Sequence, residues 1–347
     1  MSSSISSSDR WRRFFRLAVG STALAMAIVY AFVIVVDPFD TLPLSPPLDR
    51  APVASNARFA FPALARSHKF DSALFGTSTS RLLRPAALDP LFDARIVNLS
   101  MNDATVYEQA RLMEVFLRAH PSPKLFMLGV DIRWCVTGDD FQKLTPRPFP
   151  EWMYEPNLWR GYREMLNLYA VQSAGQLFGI LTGIKAETYG RDGYTRFVPP
   201  DEAYDREKVA QNLRHAGPMV PPGPRDGPPS AWRYPALDLL KAMLARVPPS
   251  TRTILFFVPY NHVVQVPPDH DGAKVWDECK RRVAEIAAST PNAMAVDFMR
   301  PSPITRTDDN YWDPLHFTVA VADRLARDLA AANAGQESPD YRLLTPR

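Results

Sequence analysis

Apolar positions along the chain fall into distinct patterns. From Leu17 to Val36 the run LAVGSTALAMAIVYAFVIVV carries no charged residue. Twenty residues at ~1.5 Å rise cover ~30 Å, the hydrocarbon thickness of a bilayer, so the run predicts one transmembrane helix. A cleaved signal peptide has an apolar run of only ~7–15 residues and a small-residue cleavage site, whereas this run ends in Val35-Val36-Asp37-Pro38. Beyond residue 67, short apolar runs alternate with helical periods. Strands are predicted at Ser72–Phe75, Arg95–Leu99, Lys124–Leu128, Thr253–Val258 and Ala293–Val296. Helices are predicted at about Val106–Ala119, Pro235–Arg246, Ala273–Ala288 and Thr318–Ala332. In Val106–Ala119, Ala110, Met113, Phe116 and Leu117 recur at helical spacing as a core-facing stripe. Alternation of this kind predicts an α/β domain with a mainly parallel sheet.

The pattern divides the chain into a basic tail (1–16), the transmembrane helix (17–36), a proline-rich extended stalk (37–67), the α/β domain (68–335) and a C-terminal tail (336–347). Within the domain, about 136–249 reads as an insertion above the C-terminal edge of the sheet, where α/β proteins place ligands; a separate helical cap fits it equally. It holds an aromatic segment, Trp152–Leu181, and a proline-dense loop, PMVPPGPRDGPPSAW. There is no internal repeat.

Charge sharpens this picture. Arg10, Arg12, Arg13 and Arg16 against Asp9 carry the whole net charge of +3. Basic residues before the span keep the N-terminus cytoplasmic and send everything after Asp37 outside, which in a bacterium means the inner membrane with the main domain in the periplasm. The formally neutral remainder has no basic excess for nucleic acid. Proline, at 34 of 347, is about twice its usual ~5%, and glycine is scarce at 15. That balance argues against Gly-rich phosphate loops. Cys135 and Cys279 suit an exported protein, but their pairing stays open, because Cys279 shares a helical face with Trp276, Val283 and Ile286 and reads as a small core residue.

Two segments carry candidate chemistry. Gly76-Thr77-Ser78-Thr79-Ser80 follows an apolar strand directly, a position that exposes a serine hydroxyl at the sheet's C-terminal edge. Ser and Thr also favour plain capped turns. Asp313-Pro314-Leu315-His316 precedes the last helix, and a carboxylate three residues from an imidazole can orient one ring nitrogen while the other faces a nucleophile. His262, after the fourth strand, is a pocket candidate or an ordinary loop histidine. Asp269-His270-Asp271 has metal-capable side chains, with Asp271 reading more simply as a helix N-cap. Trp152, Tyr154, Trp159, Tyr162 and Tyr169 suit sugar stacking or the insertion's own core. There is no Cys/His cluster for zinc, no Walker loop and no dinucleotide fingerprint, so neither metal nor cofactor is expected.

Taken together, the early Gly76-Thr77-Ser78 and the late Asp313-Pro314-Leu315-His316 resemble the SGNH (GDSL-like) hydrolase superfamily over roughly residues 70–332, the insertion excepted. The resemblance implies a three-layer α/β domain with Ser78 as nucleophile, His316 as general base and Asp313 as its orienter. Membrane-anchored members that modify exported polysaccharides, the alginate O-acetyltransferase and D-alanyl transfer proteins, are similar in layout. Against the family pattern, Thr77 stands in place of Asp, and the loop Asn98-Leu99-Ser100-Met101-Asn102-Asp103 lacks the oxyanion-hole glycine. The Gly-x-Asn block reads Gly129-Val130-Asp131, and an ionised Asp131 cannot donate to an oxyanion. The backbone N–H of Ser78 and the side chain of Asn102 are the substitute donors, with Asn98, Asp131 and His262 as candidate pocket residues. The implied function is an anchored serine-dependent acyltransferase or esterase acting on a cell-envelope glycan, with a membrane protein as acyl-donor partner. The alternative is a degenerate member that binds glycan or a partner without catalysis.

Overall fold

A computed structural model describes residues 7–138 and 142–345. The first six residues of the basic tail, residues 139–141 of the insertion and the last two of the C-terminal tail lie outside them. In chain order the elements are α1 (Ser7–Val36), α2 (Ala57–Arg66), β1 (Ser72–Phe75), α3 (Ser78–Arg81), α4 (Pro85–Phe92), β2 (Ile96–Asn98), α5 (Val106–Ala119) and β3 (Leu125–Val130). There follow α6 (Gly161–Glu164), α7 (Leu168–Leu181), α8 (Arg206–Arg214), α9 (Pro235–Leu244), β4 (Arg252–Phe257), α10 (Ala273–Ser289), β5 (Ala293–Asp297), α11 (Val319–Asn333) and β6 (Arg342–Leu343).

The chain forms two compact units. One consists of the residues up to Ala54 together with Glu155–Thr188. Among the described residues, α1 is the one helix long and apolar enough to cross a membrane, with a mean hydropathy of 2.4 over its most apolar 18 residues. It packs with α7, where Phe32 meets Phe178 edge-on at 5.6 Å. The segment after α1 is not the extended stalk expected from its prolines. Asp37 turns the chain at φ 45° and its carboxylate accepts the N–H groups of Thr41 and Leu42 at 2.9 and 2.8 Å. Arg50 then donates to the carbonyls of Val36 and Pro46 at 2.8 and 2.7 Å, folding the segment back on itself. Glu155–Thr188 leaves the expected insertion to join this unit; Tyr162 takes the Leu44 N–H there, and Tyr169 stacks on Phe39.

The second unit, Ser55–Tyr154 with Tyr189–Arg347, carries the α/β fold. Its six-stranded sheet has the order β2-β1-β3-β4-β5-β6, parallel except for β6. β1, β2 and β3 are buried throughout, which is why they read as continuous apolar runs without alternation. α5 starts at a capping box in which Thr105 and Glu108 satisfy each other's backbone N–H, and it buries Ala110, Met113 and Phe116. α2, read as stalk from sequence, packs on α5. Pro62 sits inside α2 and cannot donate to the Arg58 carbonyl one turn back; the Tyr154 hydroxyl donates to that carbonyl instead, at 2.9 Å. The presumed C-terminal tail is also structured: β6 pairs antiparallel with β5, and Tyr341 is buried. Asp271 does not cap α10; Gly272 occupies that position, and Asp271 binds Lys274 at 2.9 Å.

Cys135, in the 3₁₀ turn Ile132–Cys135 after β3, is disulfide-bonded to Cys279 of α10, with Cα atoms 5.5 Å apart. The helical face that suggested a plain core cysteine therefore holds one end of a covalent tie. The bridge spans 144 residues of sequence, a long loop whose closure restricts the unfolded chain. A Cys135→Ser, Cys279→Ser variant is expected to lose about 2–5 kcal/mol of stability, read as a lower unfolding midpoint that reductant no longer changes.

Candidate active site

The sheet order places a topological switch point between β1 and β3, since the chain leaves β1 toward β2 on one side and returns to β3 on the other. The crevice at the carboxyl ends of such strands is where open α/β sheets bind ligands. Ser78 opens α3 directly beyond β1, and Asp131 follows β3. Gly76 has φ 146°, and a Cβ on either Gly76 or Gly129 would overlap Ser80 Oγ. These glycines admit the Ser80 side chain between the two strand ends. Ser80 is buried, whereas the half-buried Ser78 faces the crevice.

Ser78 Oγ lies 2.8 Å from His316 Nε2, and His316 Nδ1 lies 2.7 Å from Asp313 Oδ2. The 238 residues that separate Ser78 from His316 are closed by a loop pinned at both ends. Trp312 N–H donates to the His316 carbonyl at 2.8 Å, Asn261 N–H to the Pro314 carbonyl at 2.9 Å, and Tyr311 Oη to the Pro259 carbonyl at 3.2 Å. The Phe197 ring packs perpendicular to the imidazole, 5.4 Å between centroids at 88°. Asp313 Oδ1 accepts the N–H groups of Leu315 and His316 at 2.8 and 2.9 Å. Burial alone would raise the Asp313 carboxyl, but the His316 ring and these two backbone donors outweigh it and hold it below the ordinary carboxylate range. An ionised Asp313 fixes a proton on Nδ1 and leaves Nε2 to accept from Ser78.

A cavity of about 460 Å³ opens at Ser78. Thr77, Asp131 and Arg133 form its polar side; Val136, Met219, Pro222 and Leu315 form its apolar wall. Met219 and Pro222 come from the proline-dense loop, which is tied down by the Thr137 N–H donating to the Pro222 carbonyl at 3.0 Å. That loop is one part of the insertion that reaches the C-terminal edge of the sheet; Phe197 beside His316 and Asp192, whose carbonyl accepts the Asn98 N–H at 2.8 Å, are others.

The remaining residues singled out from sequence are placed differently. Asn98 is fully buried and does not line the cavity. Its Nδ2 donates to the carbonyls of Ser80, Arg81 and Leu83, and its Oδ1 accepts from Ser100 N–H, so it is a buckle for the α3 turn. His262 sits on an exposed turn with Nδ1 3.2 Å from the Thr305 carbonyl and does not line the cavity. Asn102 is half-buried and, like Asn98 and His262, does not line the cavity, though its neighbour Asp103 does; two arginines hold it, Arg81 donating to its Oδ1 and Arg58 to its backbone carbonyl, both at 3.3 Å. Neither arginine was singled out from sequence. Each is a charge whose partner is distant in the chain, which no local pattern reveals.

Among the described residues, no group of three or more His, Cys, Asp or Glu side chains is placed to hold a metal ion. Asp271 of the acidic turn is engaged with Lys274, and His270 Nδ1 accepts the Gly272 N–H. Comparison with protein-family models and with curated proteins finds no match to this chain.

Proposed function

We propose that this chain is a membrane-anchored serine acyltransferase or esterase of SGNH type, acting on a cell-envelope glycan. The observation that carries the reading is the continuous Ser78–His316–Asp313 hydrogen-bonded chain at the mouth of a cavity on the switch point. Ser78 Oγ attacks the acyl carbonyl as His316 Nε2 takes its proton; the imidazolium, held by Asp313, returns that proton to the leaving group. The acyl-enzyme is then resolved by a sugar hydroxyl or by water, whose proton passes to His316 in turn. The Ser78 N–H, at the first position of α3 and so without an intrahelical partner, serves as one oxyanion donor. Arg81 on the Asn102 carbonyl oxygen leaves Nδ2 of that amide as the second. Asn102→Ala is expected to slow acylation by roughly 10²–10³-fold, measured as the rate of leaving-group release from an activated ester.

The three-layer arrangement of the family, the cytoplasmic N-terminus and the exported domain belong to the same proposal. Arg10, Arg12, Arg13 and Arg16 ahead of the apolar run support that orientation, and the Cys135–Cys279 disulfide suits an oxidising compartment. A reporter active only outside the cytoplasm, fused after Arg347, is expected to work; activity from a cytoplasm-only reporter there would contradict the export claim.

Transfer is favoured over hydrolysis because an anchor confines the site near a membrane-delivered acyl donor and raises its effective concentration. The test supplies the full-length protein with an activated acetyl ester, with and without oligosaccharide acceptors. Acetylated sugar identifies the transferase, and acetate that no acceptor diverts identifies the esterase. One feature favours the second reading, a non-catalytic glycan-binding protein: Asp131 stands where a donor is expected. Absence of turnover in either arm, in a folded protein, would support it.

A further inference from the structure

We infer that Asp131 and Thr77 form a proton-dependent donor beside Ser78: when Asp131 carries a proton, the Thr77 hydroxyl turns into the cavity and donates to the oxyanion, and when Asp131 is ionised it does not. This rests on the acyl-transfer reading above. Thr77 precedes the nucleophile and is the N-cap of α3, yet its hydroxyl does not cap the helix. It donates instead to Asp131 Oδ2 at 2.5 Å. Both residues are buried at more than nine-tenths, and both line the cavity that opens at Ser78.

The carboxyl of Asp131 has no ion-pair partner among the described residues. Arg133, two residues on, gives it a backbone N–H at 2.9 Å and no ion pair, its guanidinium being paired with Asp103 at 2.6 Å. The other groups that face Asp131 work against its charge or leave it uncompensated: the Asp103 carboxylate across the cavity, and the Tyr260 phenol beyond β4, whose oxygen is already engaged with the Ile132 N–H at 3.4 Å. Burial is the largest influence and pushes the Asp131 carboxyl up to about 6, against the Thr77 hydroxyl, the Arg133 N–H and the more distant Arg133 charge.

The hydrogen-bond bookkeeping follows from that geometry. An ionised Asp131 accepts from Thr77 and consumes its one proton. A protonated Asp131 donates to Thr77 Oγ1, which leaves the threonine O–H to find an acceptor. The open side is the cavity, where the oxyanion develops against the Ser78 N–H. The raised carboxyl places the donating state below about pH 6 and removes it above.

The test is the second-order rate of fluorophosphonate labelling of the full-length protein between about pH 5 and pH 8. In Asp131→Asn the amide donates to Thr77 at every pH. The ratio of its rate to wild type is expected to climb from near 1 at about pH 5 toward ~10² at about pH 8, the effect of one oxyanion donor. Thr77→Val is expected to fall to the high-pH behaviour at every pH, and Thr77→Ser to restore the wild-type profile. Independently, the infrared carbonyl band of a protonated carboxyl, present at about pH 5 and lost in Asp131→Asn, identifies the group; Asp328, also pushed up to about 6, keeps its own band in that variant. A ratio flat with pH, or a Thr77→Val profile that matches wild type, overturns the inference. Wild type that resists labelling at every pH overturns the acyl-transfer reading instead, and the infrared band alone then decides whether Asp131 holds a proton.

Discussion

His316→Ala is expected to slow acylation of Ser78 by roughly 10⁴–10⁶-fold, and Ser78→Ala to abolish it. The size follows from the geometry: with His316 gone, the Ser78 hydroxyl has no base at 2.8 Å, and the attacking species reverts to a neutral alcohol. Asp313→Asn tests a narrower point. The amide keeps the shape but can donate its own N–H to Nδ1, which strands the wrong tautomer at Ser78, and a loss of about 10⁴-fold is expected. Because the members act as a unit, a Ser78→Ala, His316→Ala double variant is expected to lose no more than the serine variant alone. The burst of leaving group from an activated ester reads all four variants. Ser78→Ala should keep its unfolding midpoint near wild type, since the small half-buried side chain leaves no stranded charge, whereas the two variants lacking His316 leave Asp313 Oδ2 without its ring partner and should unfold at a lower midpoint.

Glu108→Ala is expected to have the largest effect on stability, a loss of about 3–5 kcal/mol. Glu108 is fully buried and its carboxylate accepts from Arg58 Nε at 3.0 Å and Arg58 Nη2 at 2.5 Å. It also accepts from the Thr105 N–H at 3.0 Å and from the N–H and hydroxyl of Thr145 at 3.3 and 3.1 Å. Removing it strands the Arg58 guanidinium, itself 1% exposed, in the core between α2 and α5. The loss should appear as a lower denaturant midpoint with little change in slope. Replacing both partners by apolar residues of similar volume, Arg58→Met with Glu108→Leu, is expected to recover part of that stability, because no charge is then left unpaired while the Thr105 N–H and the Thr145 N–H and hydroxyl still lose their acceptor. The double variant should still react more slowly with a fluorophosphonate, since Arg58 also holds the Asn102 carbonyl.

β1 and α5 were readable to the residue because their signals are local: a short apolar run, and the apolar stripe of Ala110, Met113, Phe116 and Leu117. The α/β class and the pairing of Ser78 with Asp313 and His316 followed from where those short motifs fall relative to strands and to the last helix. What escaped was set by partners far along the chain. α2 reads as stalk along with the repeated prolines that precede it, and its own Pro62 is accommodated by the Tyr154 hydroxyl on the Arg58 carbonyl. Two-residue β6 exists by pairing with β5. The Cys135–Cys279 bridge depends on a Cα separation that spacing does not reveal. Asn98, offered as a pocket residue, is consumed by three carbonyls of the α3 turn, a role indistinguishable by residue type from a ligand-binding amide.

The central claim is that Ser78 is an activated nucleophile. The measurement that meets it most directly is mass spectrometry of the full-length protein, purified in detergent, treated with a fluorophosphonate and digested. The account predicts one adduct, on the peptide that carries Ser78, formed in wild type and absent from His316→Ala. An adduct on Ser80, whose buried hydroxyl is wedged against Gly76 and Gly129, or no adduct on folded wild-type protein, would contradict it.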